Sequence, residues 1–354
     1  MKNNKPFLKI ENKVIDKDSP AFIVAEMSAN HSGNIAIAKE IILKAKESGA
    51  DAVKLQTYKA ETITLDSDKQ DFIIDKESPW SNYNTLYNLY DKAHTPWQWH
   101  EELFEYANKT GIIIFSAPFD DTAVDFLEEL NCPAYKIASP EITDIPLIRR
   151  VARTGKPVII STGLSNFEDL ELAVKTLRNN DCNQISILKC TSTYPAPFEE
   201  INLSTLADYY EKFQCVPGLS DHTEGDEVPI ASISLGAKII EKHFVLKNDD
   251  DTADSFFSME RKSFKKMVKK IRNVENAMGV VNYSITKSAL KNSHSKRSLY
   301  VSKNIKKGQA ITTENIKSVR PGFGLHPKFY DEILGKKVNK NLEKGDRLNF
   351  DILE

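Results

Sequence analysis

Residues 216–243 read VPGLSDHTEGDEVPIASISLGAKIIEKH. Two short apolar runs, Val216 to Ser220 and Ile239 to Phe244, flank one helix-length segment, Glu227 to Leu235, which Gly236 ends. A strand–helix–strand unit of this length makes a right-handed parallel crossover, so both strands finish on the same face of one sheet. His222 and His243 stand at those two ends. Two imidazoles on one face can share a divalent metal and still leave coordination positions open for water and substrate. Either histidine alone would read as a hydrogen-bonded structural group. The pairing makes a metal site the sharper expectation.

The same cycle of amphipathic helix, Gly, short apolar strand and polar residues recurs upstream. Strands are predicted at Phe22 to Ala25, Ala52 to Gln56, Ile112 to Ser116, Ala134 to Ile137, Pro157 to Ser161 and Ile185 to Lys189, ahead of the two already named. Helices are predicted over Ile35 to Ser48 and Pro96 to Thr110, each followed by Gly, which suits a left-handed helix end. A long polar insertion separates the second strand from the Pro96 helix. The strands are apolar and β-branched without strict alternation, as expected when both faces are covered. Eight such strands alternating with helices predict a (β/α)8 TIM barrel ending near Met278. An open doubly wound sheet is the alternative, weakened because no GxGxxG follows the first strand.

The chain has 354 residues, 40% apolar and 28% charged, with a formal net charge of -2. That is an ordinary globular composition with no basic run to suggest nucleic acid. No apolar stretch approaches membrane-spanning length, and the polar start Met1 to Lys5 lacks a signal-type core, so a cytoplasmic protein is expected. Cys132, Cys182, Cys190 and Cys215 are scattered without CxxC spacing, which suits reduced thiols.

A barrel places its active site at the C-terminal ends of the strands. Those ends carry Glu26, Lys54 with Gln56, Ser116, Lys136 with Ser139 and Glu141, Ser161, Lys189 with Ser192 and Tyr194, Ser220 with His222, and Lys242 with His243. Lysines and hydroxyls converging with few carboxylates imply an anionic ligand, a phosphate or a carboxylate. Beyond residue 284 the periodicity changes to short strands, Arg297 to Val301 among them. A polar linker around Thr286 to Ser295 makes residues 285–354 a small β-rich domain behind a barrel domain of residues 1–284. Within it, IKKGQAI at 305–311 is echoed by LEKGDRL at 342–348, and Arg320-Pro321-Gly322 forms a turn presenting one arginine. That arginine is read either as part of a stabilising appendage or as a lid residue for a substrate.

Six motifs, in order, resemble the sialic acid synthase family. They are Ala25–His31 (AEMSANH), Ala52–Thr57 (AVKLQT), Tyr135–Ser139 (YKIAS), Ile160–Gly163 (ISTG), Gly218–Thr223 (GLSDHT) and Ile240–Phe244 (IEKHF). The tail with Arg320-Pro321-Gly322 resembles the family's antifreeze-like (SAF) domain. Tyr90–His100 (YDKAHTPWQWH) and Phe323–Pro327 (FGLHP) resemble the branch of that family that makes pseudaminic acid.

The resemblance implies condensation of phosphoenolpyruvate with an acylamino-sugar aldehyde, here 2,4-diacetamido-2,4,6-trideoxy-L-altrose, releasing phosphate by C–O cleavage. It implies Mn²⁺, Mg²⁺ or Co²⁺ on His222 and His243. Lys54, Ser116, Lys136, Ser139, Ser161, Ser192 and Ser220 match phosphoenolpyruvate-binding positions, and Gln56 and Arg320 match sugar-binding ones. Glu26, Glu141, Tyr194 and Asp254 match groups at the reacting centre, with the division of roles between the two glutamates left open. Arg320 would act across a domain-swapped homodimer. The chain departs from the family's Gly-Pro-Asp at Thr252-Ala253-Asp254. Three competitors remain: a synthase for N-acetylneuraminate or N,N'-diacetyllegionaminate, a metal-dependent aldolase acting without phosphoenolpyruvate, and a carbohydrate- or ice-binding protein with a vestigial barrel.

Overall fold

The structure is a computed structural model and describes residues 5–247 and 252–354, so the polar start at residues 1–4 lies outside it. Two compact units divide at Gly279, Met1–Gly279 and Val280–Glu354. A hairpin opens the first unit, β1 (Leu8–Ile10) against β2 (Lys13–Ile15), and sequence periodicity did not reveal it. Its Leu8, Ile10 and Ile15 join the main core. The Lys9 N–H donates to Gln184 just before a barrel strand, which sets the hairpin at the N-terminal end of the barrel.

Eight parallel strands then follow: β3 (Phe22–Glu26), β4 (Ala52–Thr57), β5 (Ile113–Pro118), β6 (Tyr135–Ile137), β7 (Val158–Ser161), β8 (Ile185–Lys189), β9 (Val216–Asp221) and β10 (Ile239–Val245). Each pairs with the next in sequence, and β10 closes on β3, which makes the ring a TIM barrel. Helices at Ile35–Glu47, His100–Thr110, Asp121–Glu129, Ile145–Ala152, Phe167–Asn179, Thr205–Phe213, Glu227–Ser234 and Arg261–Met278 pack outside it. A short β11 (Met259–Glu260) pairs in parallel with the C-terminal end of β10.

The predicted strands are present, but several run further at their C-terminal ends than apolar character indicates. Glu26, Thr57, Pro118 and Asp221 all lie within the ladder. The polar residues there continue the pairing because each finds a buried partner. The Pro96 segment begins as a 3₁₀ turn, Trp97–Trp99, and becomes α-helical only at His100.

The second unit pairs β12 (Ser298–Val301) with β13 (Ile316–Val319) in antiparallel fashion. The sequence echo is structural: Ile305 bridges Leu342, and Ile311 and Leu348 are buried in the same small core. In each copy the glycine, Gly308 or Gly345, turns with positive φ. Arg320 is exposed in this unit.

Candidate active site

Strand pleat decides which strand-end residues meet. Successive side chains point to opposite faces, so every second residue enters the barrel. On β10, Glu241 and His243 face inward, and on β9 and its continuation Ser220 and His222 do so. Glu241 sits opposite Ser220 in the ladder, and Lys242 sits opposite Asp221. Lys242 and Asp221 therefore turn out of the barrel together and form a buried ion pair, with the Lys242 ammonium also donating to the Thr223 carbonyl at 2.7 Å. That pair ties the two histidine-bearing strands from outside, so Lys242 does not join the anion-binding groups. Lys189 likewise faces out and donates to the Cys190 carbonyl at 2.9 Å. Ser116 pairs in register with outward Leu55 and bonds Thr57 at 2.7 Å, beside His100. Its hydroxyl belongs to the helix–sheet interface and lies away from the cavity, a correction imposed by register parity.

Lys54, Gln56, Lys136, Ser139, Glu141, Ser161, Tyr194, Ser220, His222, His243 and Asp254 line one cavity of about 510 Å³. Glu26 lies just beneath, ion-paired with Lys54 and accepting the Ser28 N–H at 3.0 Å. Glu241 also lines the cavity and accepts from Lys136 at 2.8 Å on both oxygens. It stands 3.6 Å from Lys54, so Glu26, Lys54, Glu241 and Lys136 form an alternating chain of buried charges. Burial pushes Glu26 above the usual carboxylate range, against the pull of Lys54. Burial raises Glu141 to about 7, and its Oε2 is buried with no hydrogen bond among the described residues. A carboxyl of that kind can hold or release a proton near neutral pH.

Hydroxyls complete the polar wall. The Ser161 hydroxyl is buried and unpartnered among the described residues, and Ser139 accepts the Gly163 N–H at 3.0 Å. A Cβ at Gly163 would fall 2.1 Å from the Ser192 hydroxyl and 2.9 Å from that of Ser139, so only glycine leaves this cradle open. Ser192 stands behind Gly163 rather than on the cavity wall. Asp254 accepts from the Ser28 hydroxyl, and the Ala253 carbonyl accepts from the Trp80 indole at 2.8 Å. The altered Thr252-Ala253-Asp254 segment thus still delivers its aspartate to the cavity.

His222 and His243 have ring centroids 5.4 Å apart, between Tyr194 and Phe257. The His222 Nδ1 donates to the Thr191 carbonyl at 3.0 Å, which leaves Nε2 with its lone pair free. Burial holds His243 well below the usual imidazole range, so it is neutral, and its Nδ1 has no hydrogen bond among the described residues. A divalent metal requires neutral imidazoles; burial favours that form at both rings, while Cys190 beside His222 outweighs burial and raises that ring's pKa. Among the described residues no cluster of three or more His, Cys, Asp or Glu side chains could complete a closed metal cage. The two histidines would hold a divalent metal only with water and substrate as its remaining ligands.

Several lining residues escaped the sequence reading. Cys190 lies 3.9 Å from His222, and burial, which would raise its thiol, is outweighed by that ring in its protonated form, so the thiol comes down to about 7 as the His222 pKa rises. Glu241 was visible only as part of a motif. The insertion taken as polar supplies Tyr58, Ile63, Ile74, Trp80, Leu86, Leu89, Tyr90 and Ala93 to the cavity, joined by Phe119. These residues face the cavity while Leu65 and Ile73 of the same insertion are exposed, a choice that strand or helix periodicity does not encode. Arg320 belongs to the second unit.

Residues 41–283 match the NeuB family, and residues 296–353 match a SAF domain. The chain belongs to the NeuB family. A pseudaminic acid synthase of Campylobacter jejuni serotype O:2 is 46% identical over 331 residues, covering 94% of this chain and 96% of that one. An N,N'-diacetyllegionaminic acid synthase of the same strain is 35% identical over 328 residues, covering 92% and 97%. The crystal structure of spore coat polysaccharide biosynthesis protein SpsE from Bacillus subtilis superposes with a TM-score of 0.67 at 32% identity, covering 98% of this chain and 99% of that one. The family membership makes this chain a transferase-type enzyme. Among the described residues no helix is long and apolar enough to cross a membrane.

Proposed function

We propose that this enzyme condenses phosphoenolpyruvate with 2,4-diacetamido-2,4,6-trideoxy-L-altrose to give pseudaminic acid and phosphate. The observation that carries this reading is a two-sided cavity. Paired lysines, serine hydroxyls and two imidazoles face an apolar wall that includes Ile63, Ile74, Leu86, Leu89 and Phe119. The polar side suits a ligand with phosphate and carboxylate. The apolar side suits a deoxy sugar carrying acetamido methyls. The higher identity to a pseudaminic than to a legionaminic acid synthase supports the same sugar.

In this scheme Lys54, Lys136, Ser139, Ser161 and Ser220 hold phosphoenolpyruvate, and its C3 forms a bond to the sugar aldehyde carbon. Water adds at the resulting cationic C2, and the C2–O bond to phosphate breaks, so the ketone oxygen comes from water. Glu141 and Glu26, both held above the usual carboxylate range by burial, are suited to take and return the water proton. Tyr194 and Asp254 flank the sugar. His222 and His243 would hold Mn²⁺, Mg²⁺ or Co²⁺, which supplies Lewis-acid polarisation of the aldehyde oxygen. Arg320 is assigned to the sugar's acylamino group within a dimer that exchanges its C-terminal units.

Phosphate release from phosphoenolpyruvate with Mn²⁺ tests the proposal against three sugars: the L-altrose derivative, N-acetylmannosamine and the legionaminic acid precursor. Release with the first alone is expected. Release with a manno-configured sugar instead would overturn the substrate assignment, and silence with all three would favour an aldolase.

A further inference from the structure

We propose that Glu241 is an internal counter-anion that weakens the cavity's grip on phosphate-bearing ligands, so that phosphate can leave. This rests on the anion-binding reading of the cavity given above. Glu241 is 4% exposed yet reaches the cavity wall, inward of the ladder and two residues before His243. Both its oxygens take the Lys136 ammonium at 2.8 Å, one lies 3.6 Å from Lys54, and the Ser220 hydroxyl approaches at 3.4 Å. Those are three of the five groups assigned to phosphoenolpyruvate. The second carboxylate on Lys54 is Glu26, so two lysines face two glutamates before any ligand enters.

An anion arriving there meets lysines already paired with carboxyl groups rather than two bare cations. The ammonium groups also spend donors on Glu241 that a phosphate would otherwise use. With Lys136 at 2.8 Å on both oxygens and Lys54 at 3.6 Å, Glu241 has the surroundings of a carboxylate anion. The arrangement resolves a conflict specific to this reaction. Two lysines buried without counter-charge would be costly in the empty enzyme, and they would bind the released phosphate tightly. A resident carboxylate removes both problems, and its bidentate contact keeps Lys136 aimed at the cavity.

Inorganic phosphate is the probe, titrated into full-length wild type and Glu241→Gln in EDTA so that only the protein's own groups are read. Calorimetry and the thermal midpoint report binding. Glutamine keeps the shape and removes the charge. Because a unit charge a few ångströms away is worth several-fold to a hundred-fold even under strong screening, the Kd for phosphate should fall about tenfold or more. Phosphate should also raise the midpoint of the variant more than that of wild type, and inhibit its turnover at lower concentration. Glu241→Asp, which keeps the charge, should stay within about threefold of wild type.

Unchanged or weaker phosphate binding by Glu241→Gln would overturn the proposal and leave Glu241 as a residue that only aims the lysines. Equal tightening in Glu241→Asp would assign the effect to loosened packing and overturn it too. A Glu241→Gln protein that is soluble only with phosphate is the limiting form of the expected result. If it folds under neither condition, Lys136→Met/Glu241→Gln must bind phosphate more tightly than Lys136→Met, or the proposal fails. Absence of any phosphate binding by wild type would instead refute the anion-site reading itself.

Discussion

Replacing Glu141 by glutamine should stabilise this enzyme while slowing it. Glu141 sits just past β6 with one oxygen buried and unpartnered among the described residues, and burial raises its pKa from 4.5 to about 7. At about 1.4 kcal/mol per factor of ten, that rise corresponds to at most roughly 3 kcal/mol. The sign follows from proton binding. Between pH 4.5 and 7 the folded protein holds a proton that the unfolded chain has lost, so stability declines as pH rises through that window. Above pH 7 the whole penalty for an ionised, poorly solvated carboxylate is present. Glutamine does not titrate and does not carry the penalty. Glu141→Gln should therefore match wild type near pH 4.5 and exceed it by about 1–3 kcal/mol at pH 8.5. The corresponding gain in Tm is roughly 2–10 °C for a domain of this size. Thermal unfolding followed by circular dichroism across pH 4.5–8.5, with kcat measured in parallel, provides the test. A variant no more stable than wild type at pH 8.5, or one whose advantage is the same at every pH, would refute the reasoning. Retained kcat would remove Glu141 from the proton-moving role.

Three further outcomes are expected. His222→Ala should abolish metal-dependent turnover and Mn²⁺ binding by calorimetry with its circular dichroism spectrum unchanged, and full activity in that protein would sink the metal assignment. Lys242→Met should leave Asp221 buried without its cation and cost about 3–5 kcal/mol in denaturant unfolding. A loss under about 1 kcal/mol would show that the pair is not what ties β9 to β10. Arg320→Ala should raise the KM for the sugar with the KM for phosphoenolpyruvate nearly constant, and a selective loss of phosphoenolpyruvate affinity would contradict the assigned role.

Barrel strands and helices were legible because their signals are local. Apolar β-branched runs of four to six residues, helix-ending glycines and repeated spacing each depend on a few neighbours along the chain. The β1–β2 hairpin was not legible, since three-residue strands carry almost no periodic signal and are stabilised by the barrel end they cover. Ser116 shows the limit within the site. Position at a strand end could be read, but the face it points to depends on register with β4, and register parity is a property of two strands. Lys189 and Lys242 were assigned to the cavity for the same reason, and the pleat turns both outward.

By itself the sequence determined a TIM barrel with a β-rich tail, a histidine pair at adjacent strand ends and a set of lysines and hydroxyls able to hold an anion. Local propensity and the 3.6- and 2-residue periods suffice for these. Only the tertiary structure decided that Glu241 bridges Lys54 and Lys136, that burial lifts the Glu141 pKa toward neutral pH, and that the insertion after β4 turns apolar side chains onto the cavity. Each depends on how far a charge lies from water and from another charge. Those distances are set by the closing of the barrel, which brings together residues more than a hundred positions apart.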